Sequence, residues 1–259
     1  FLPILLWSKN KRNTNKYWRV NMHNELNKIK SLESSPKVIK NFIDGKEVSQ
    51  FLKLYEELPI AVNNLKQKVI KKRWLDGFGK ELEALFKSKL KSAIGDFRMD
   101  NLTTEDGKEC FGLFQESRNP LKLHVDAGFN LKDLIYKQTL VPLSEFGETV
   151  IFKNRYYGVS TNFTKDKNEL AENNPENFKK GKNARSNEHL KLFSDKSFNK
   201  SDHEKYLKHE DIENLKGMEV EFVYKWNLGD LLIFDRTSLH CSSSNIKNKK
   251  IGLTTFTKK

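Results

Sequence analysis

The sequence has few cysteines and no long apolar run. Only two cysteines, Cys110 and Cys241, occur among 259 residues, which excludes a disulfide framework, favours a reducing compartment and predicts a cytoplasmic protein. No apolar stretch approaches the roughly 20 residues needed to span a bilayer, so no membrane segment is expected. Residues 1–7 are apolar but lack the flanking features of a complete signal peptide.

The charge balance is strongly basic. The formal net charge is +13, because 47 Lys and Arg residues outnumber 34 Asp and Glu residues. Such a balance favours an anionic partner, such as nucleic acid, a membrane surface or an acidic substrate. However, the lysines are spread along the whole chain, so a lysine-rich composition explains much of the charge. Nothing in the sequence sets the oligomeric state.

Residues that carry chemistry are concentrated in two distant stretches. Residues 121–128 contain His124 and Asp126, which project together because alternate residues of an extended chain point to the same side. Residues 228–256 contain a strand-length apolar run, then His240, then a turn-rich connection to another strand. Two histidines and one carboxylate on one face of a metal, with other positions open, are the ligand set of non-haem Fe(II) oxygenases.

The order of these motifs resembles that of the Fe(II)/2-oxoglutarate-dependent oxygenases. The His124-x-Asp126 pair comes first, the distal His240 follows, and Lys250 stands on the next strand. The resemblance implies that His124, Asp126 and His240 bind Fe(II). It also implies 2-oxoglutarate as co-substrate and O₂ as oxidant.

Two branches of that superfamily contribute to the resemblance, which covers roughly residues 110–257 apart from a long insertion. Gly229-Asp230 and the stretch from His240 to Asn245 most resemble the phytanoyl-CoA dioxygenase-like branch. Residues 147–152 are similar to a segment of the prolyl 4-hydroxylase-like branch. The chain departs from the phytanoyl-CoA dioxygenase-like branch at Lys250, where that branch usually has Arg.

That lysine is expected to hold the distal carboxylate of 2-oxoglutarate. Lys250 is preferred over Lys249, and only one of them can face inward because adjacent strand residues point oppositely. Lys supplies a point charge without the bidentate geometry of Arg. A hydroxyl or amide usually assists, and the candidates are Thr139, Gln138 and Tyr136.

The predicted fold class is mainly β with α, an α+β protein with a double-stranded β-helix (jelly roll, cupin-like) core and N-terminal helices packed on the sheet. Residues 1–107 are expected to form a helical lead-in, and residues 108–259 the oxygenase core. A polar, lid-like segment is inserted at residues 154–216. Its His189, His203 and His209 are expected to be solvated. Periodicity predicts helices over residues 21–32, 47–58, 61–74 and 80–94.

Together these observations predict a dioxygenase that hydroxylates a small molecule, with release of succinate and CO₂. An anionic substrate fits the basic charge. A nucleic-acid demethylase of the same superfamily is the first alternative, but the paired arginines that such enzymes carry after the distal histidine are lacking here. A non-catalytic metal-binding cupin is the second, and Lys250 counts against it because a structural metal needs no co-substrate anchor.

Overall fold

The computed structural model describes residues 24–104, 106–126, 134–158, 161–164, 184–186 and 188–259. Its helices are α1 (residues 24–31), α2 (Gly45–Glu57), α3 (Lys80–Ile94) and α4 (Lys200–Tyr206), with 3-10 turns at Glu188–Lys191 and Ile212–Leu215. Its strands are β1 (Lys37–Ile39), β2 (Ile60–Asn64), β3 (Val69–Leu75), β4 (Arg98–Met99), β5 (Leu102–Thr103), β6 (Glu109–Ser117), β7 (His124–Val125), β8 (Ile135–Pro142), β9 (Glu148–Arg155), β10 (Thr161–Thr164), β11 (Ala184–Ser186), β12 (Val220–Lys225), β13 (Leu231–Asp235), β14 (Ser238–Ser242) and β15 (Lys250–Lys258).

The strands form two sheets. Sheet A has the order β1-β13-β8-β15-β6-β3-β2, with β4 beside β15 and β5 beside β6. Sheet B has the order β11-β10-β7-β14-β9-β12, and the β10–β11 pair is parallel. The two sheets face each other, since Leu140 and Leu232 of sheet A pack against Ile151 and Tyr224 of sheet B. The mainly β architecture with added helices confirms the predicted fold class.

Helices α2 and α3 cover the outer face of sheet A. A capping box begins α2, in which the Asp44 side chain accepts from Glu47 N at 2.8 Å and the Glu47 carboxylate accepts from Asp44 N at 2.7 Å. Its apolar stripe buries Phe51, which packs with Phe86 of α3 and Trp74 of β3. Both helices are confirmed, α2 two residues before its predicted start and α3 with the predicted limits.

The helix predicted over residues 61–74 is wrong, because this segment forms the hairpin of β2 and β3. The Asn64 side chain accepts a backbone hydrogen bond within the connecting turn, and Lys68 adopts a φ of +53° there. Neighbouring β-branched residues, Val69 and Ile70, favour extended backbone. Since β3 pairs with β6 over its whole length, the N-terminal part of the chain supplies strands as well as helices to sheet A.

Part of the insertion is a packed layer on the outer face of sheet B. Phe198, Leu207 and Leu215 are buried there, and fully burying each such side chain contributes about 1.5–3 kcal/mol. The expectation that His189 and His209 are solvated is wrong. The His189 side chain is fully buried, with Nε2 2.6 Å from the Asn214 carbonyl oxygen. The His209 side chain is only 11% exposed, with Nδ1 3.0 Å from the Ser244 hydroxyl. The other insertion residues, 159–160, 165–183 and 187, lie outside the described residues.

More of the described residues lie in strands than in helices. None of the helices in the described ranges combines the length and the apolar character needed to cross a bilayer.

Candidate metal centre

The pairing of β7 with β14 sets His124 directly opposite His240. Residues directly opposed in an antiparallel pair project to the same face, and the two imidazole centroids are 4.1 Å apart. His240 also contacts Phe234 of sheet A, at a centroid distance of 4.9 Å. Both imidazoles therefore point into the space between the sheets.

Asp126 completes a cluster with the two histidines. Its Oδ2 lies 3.5 Å from Nε2 of His240 and 3.8 Å from Nε2 of His124. One ligand atom from each of the three residues lies within 4.8 Å of the others. Metal–ligand bonds of about 2.0–2.2 Å can be made from atoms at such separations after small side-chain adjustments. The structure thus brings together the three residues that the sequence singled out as metal ligands.

Backbone carbonyls hold both histidines in one tautomer. Nδ1 of His124 lies 2.7 Å from the Lys122 carbonyl oxygen, and Nδ1 of His240 lies 3.0 Å from the Ser238 carbonyl oxygen. A carbonyl oxygen only accepts, so each Nδ1 donates its proton and each neutral ring keeps its lone pair on Nε2. A second-shell bond of this kind orients a metal-ligating histidine.

Burial and neighbouring groups shift the pKa values of His124 and Asp126 in directions that favour binding of a metal cation. Burial, helped by the adjacent His240, lowers the pKa of His124 to about 4. Burial alone would raise the pKa of Asp126, but the adjacent His240 and His124 and the Gln138 amide hold that pKa well below its usual range. Near neutral pH the site therefore offers a neutral His124 and a carboxylate anion at Asp126.

Of the three predicted assisting residues on β8, Gln138 reaches the cluster. Its Nε2 donates to Asp126 Oδ2 at 2.9 Å and so orients the carboxylate. Thr139 lies on the opposite face of sheet A, where its hydroxyl bonds that of Thr255 at 2.6 Å. The Tyr136 hydroxyl lies 3.5 Å from the Ile94 carbonyl oxygen, at the end of α3. Thr139 and Tyr136 are thus not brought together with the three candidate ligands.

Lys250 projects into the space between the sheets, whereas Lys249 does not. The Lys250 ammonium donates to the Ser242 hydroxyl and lies 5.0 Å above the Trp226 ring. Only 3% of Lys250 is exposed, and burial lowers its pKa to about 8. The Lys249 side chain is 43% exposed and pairs with Glu116 at 3.6 Å. The structure therefore supports the strand register that was preferred from the sequence.

Sequence reasoning missed two hydroxyl groups near Lys250. Ser242 follows His240 by two residues, so the strand period could have identified it as a neighbour on the same face. Ser117 pairs with Lys250 across β6 and β15, and its fully buried hydroxyl has no hydrogen-bond partner among the residues that the structure describes. No sequence signal links Ser117 to Lys250, because the strand pairing alone brings them together.

Side chains of the insertion form hydrogen bonds with the residues that lead into β7, the strand that carries His124. The buried Glu210 carboxylate accepts a hydrogen bond from Leu123 N at 2.6 Å. Nε2 of His209 lies 3.2 Å from the Leu121 carbonyl oxygen, which also accepts from Ser242 N at 3.1 Å. Since β7 has only two residues, these contacts supply positional restraint that its short ladder cannot.

Comparison with known proteins gives similar solved structures at low sequence identity. No protein-family model matches the chain, and no curated protein matches it. One similar structure is an oxidoreductase of the 2OG-Fe(II) oxygenase family from Burkholderia pseudomallei, with 9% identity, a TM-score of 0.47, and coverage of 92% of this chain and 89% of that chain. HygX from Streptomyces hygroscopicus, solved with nickel and 2-oxoglutarate bound, has 15% identity, a TM-score of 0.45, and coverage of 91% and 85%.

A third similar structure is a prolyl hydroxylase from Trichoplax adhaerens, in complex with a peptide of hypoxia inducible factor. It has 12% identity, a TM-score of 0.43, and coverage of 97% of this chain and 94% of that chain. At such identities, the assignment of roles to residues depends on the geometry of this chain's own site.

Removing any one of the three clustered side chains should abolish tight metal binding. We expect His124→Ala, Asp126→Ala and His240→Ala each to weaken Ni(II) or Fe(II) binding by more than about tenfold, because two protein ligands hold the ion poorly. Isothermal titration of the apoprotein measures this. His203→Ala is the matched control, since His203 lies outside the cluster on α4. Unchanged affinity in all three variants would exclude this metal site.

Loss of the Glu210 carboxylate should loosen β7. Glu210→Ala leaves Leu123 N without this acceptor, and an unsatisfied buried donor costs about 1–3 kcal/mol of unfolding free energy. We expect weaker Ni(II) binding in this variant, while Glu210→Gln, which keeps a side-chain carbonyl, retains most of both properties. Urea unfolding and metal titration measure the two effects.

The control is Glu213→Ala, because the Glu213 side chain is 47% exposed and, within the described ranges, makes a surface ion pair with Lys216. This change should alter stability by less than about 0.5 kcal/mol. Equal effects of Glu210→Ala and Glu213→Ala would refute the restraint assigned to Glu210.

Proposed function

We propose that this protein is a non-haem Fe(II)- and 2-oxoglutarate-dependent dioxygenase that hydroxylates a small molecule. The observation that carries the proposal is the combination of two features in one inter-sheet space. His124, Asp126 and His240 form a cluster of two imidazoles and one carboxylate. A buried cation, Lys250, projects between the same two sheets.

The donor set suits Fe(II). Two neutral imidazole nitrogens and one carboxylate are the facial ligand set of non-haem iron oxygenases, and they leave positions open for other ligands. When bound, Fe(II) and 2-oxoglutarate would supply the oxidising power, with O₂ as oxidant and succinate and CO₂ as products. Gln138 would keep the Asp126 carboxylate oriented through its 2.9 Å bond, and the backbone carbonyls would keep both Nε2 atoms free of protons.

The surroundings of Lys250 suit the distal carboxylate of 2-oxoglutarate. The ammonium supplies a charge-assisted hydrogen bond, and the Ser242 hydroxyl beside it supplies another polar partner. Ser117 adds, on the same face of sheet A, a fully buried hydroxyl that has no partner in the described part of the chain. A carboxylate of 2-oxoglutarate at this position would accept hydrogen bonds from both the Ser117 hydroxyl and the Lys250 ammonium. A site that binds a metal for structural reasons alone would need neither group.

A small molecule is favoured over nucleic acid as substrate. The candidate ligands lie between two sheets, and His240 is only 5% exposed. Arg236, one of the arginines nearest the distal histidine, is ion-paired with Asp100 and packs on Phe256, so it is not available for a phosphate backbone.

Two buried, unpaired thiols support a cytoplasmic location. The proposed domain organisation is an N-terminal lead-in over residues 1–107 and an oxygenase core over residues 108–259.

The direct test of this function is turnover of 2-oxoglutarate. Protein loaded with Fe(II) should convert 2-oxoglutarate to succinate in air, and suitable metabolite pools should accelerate the conversion. Mass spectrometry should then find a product heavier by one oxygen atom. Asp126→Ala is the control and should form no succinate above background. Failure of the loaded wild-type protein to bind 2-oxoglutarate would favour the non-catalytic cupin instead.

Binding of 2-oxoglutarate should depend on pH through Lys250. Its pKa of about 8 means that the amine is charged below pH 8 and neutral above it. A neutral amine cannot pair with a carboxylate, so affinity should be constant from about pH 6 to 7.5. Above pH 8 it should fall by up to about tenfold per pH unit, until the pKa of the complex is reached. Titration of the Ni(II)-loaded protein measures this.

Two variants serve as controls for the pH effect. Lys250→Arg should bind 2-oxoglutarate more weakly than wild type but without this pH dependence, because a guanidinium stays charged. Lys250→Ala should lose roughly ten- to a hundredfold in affinity, whereas Lys249→Ala should be mild. A wild-type affinity that stays constant to about pH 10 would contradict the role of Lys250.

A further inference from the structure

A second lysine, Lys71 on β3, points into the same space as Lys250. Lys71 pairs with Gln115 of β6, and Gln115 pairs with Gly252 of β15, so the three residues share one face of sheet A. That face is the inner one, because a Cβ at Gly252 would lie 2.9 Å from Cδ1 of Leu140 in the inter-sheet core. The neighbouring Lys72 points outward and donates to the Tyr55 carbonyl oxygen at 2.7 Å.

The charge of Lys71 acts on the candidate metal ligands. Burial lowers the pKa of Lys71, and the Asp126 carboxylate partly offsets that effect. In turn, the positive charge of Lys71 contributes to the lowered pKa of His124. These effects agree with the position of Lys71 on the inner face of sheet A, which faces the sheet that carries His124.

Lys71 differs from the other inward or buried lysines in having no partner. Lys137 pairs with Asp235, and Lys250 donates to Ser242. Across the ranges that the structure describes, no hydrogen bond or ion pair involves the Lys71 ammonium. Its side chain is nonetheless partly shielded from water. An ammonium in such surroundings is unfavourable unless an anion joins it.

We propose that Lys71 binds an anionic group, a carboxylate or a phosphate, of the substrate that is hydroxylated at the metal centre. This inference rests on the proposed function. Both carboxylates of 2-oxoglutarate would already have cationic partners, Lys250 at the distal end and the metal at the proximal end. The third cation is therefore left for the substrate, and its place on the inner face of sheet A would hold the bound molecule in the same inter-sheet space as the metal centre.

The test uses protein loaded with Ni(II) and saturated with 2-oxoglutarate, so that Lys250 and the metal are both engaged. Inorganic phosphate and acetate are the probes, and isothermal titration or chemical-shift changes measure their binding. Lys71→Met keeps the length of the side chain but removes its charge. We expect it to weaken binding of the preferred probe by roughly ten- to a hundredfold. Ni(II) and 2-oxoglutarate affinities should stay within about twofold of wild type.

Two further variants sharpen the comparison. Lys71→Arg keeps the charge and should retain much of the anion binding. Lys53→Met removes one charge from the exposed face of α2 and should change nothing. The stronger of the two probes then distinguishes a phosphate-bearing substrate from a carboxylate-bearing one.

Each other outcome overturns the inference. If Lys71→Met weakens 2-oxoglutarate binding tenfold or more, Lys71 is a second anchor for the co-substrate. If the wild-type protein binds neither probe, or if Lys71→Met binds both as wild type does, Lys71 is no anion site. Failure of the proposed function gives a different result, because the Ni(II)-loaded wild-type protein would then not bind 2-oxoglutarate at all.

Discussion

The opposition of His124 and His240 across two short strands is the constraint on which the site depends. It fixes both imidazoles on one face, 4.1 Å apart at their centroids, and Asp126 joins them because it follows His124 by two residues. A shift of one residue in this register would turn one imidazole to the outer face of sheet B. Cys241, the next residue on β14, lies on that outer face, buried among apolar side chains.

The two sheets contribute different side chains to the candidate site. Sheet B and the residue that follows β7 carry the three candidate ligands, whereas sheet A carries Gln138, Lys250, Ser117 and Lys71. Helices α2 and α3 pack on the other face of sheet A, so the inner face of β15 is free to carry a lysine and a glycine. At Gly252, a side chain would collide with Leu140 and Trp226, so the absence of a Cβ there lets these two side chains pack directly on β15.

Much of this could be predicted from the sequence, because period-two alternation and the order of motifs are local signals. They identified His124, Asp126, His240 and the inward-facing Lys250. The predictions that were wrong or incomplete concern residues whose conformation or position is set by tertiary contacts. The β2–β3 hairpin has apolar residues at spacings that also fit a helix, and only its pairing with β6 makes it a sheet edge. Ser117 and Lys71 reach the site through strand pairing between distant segments, for which a single sequence carries no signal.

The contact between the insertion and β7 has a consequence for local stability. Leu123 N is bonded to Glu210, and the Leu121 carbonyl oxygen lies 3.2 Å from Nε2 of His209, so the residues that lead into β7 and residues 209–210 of the insertion form one hydrogen-bonded group. Such a group opens as one cooperative unit. A ligand that binds only the closed form stabilises the whole unit by mass action. Metal occupancy would therefore slow amide exchange in a segment more than eighty residues along the chain from His124, which contributes no ligand.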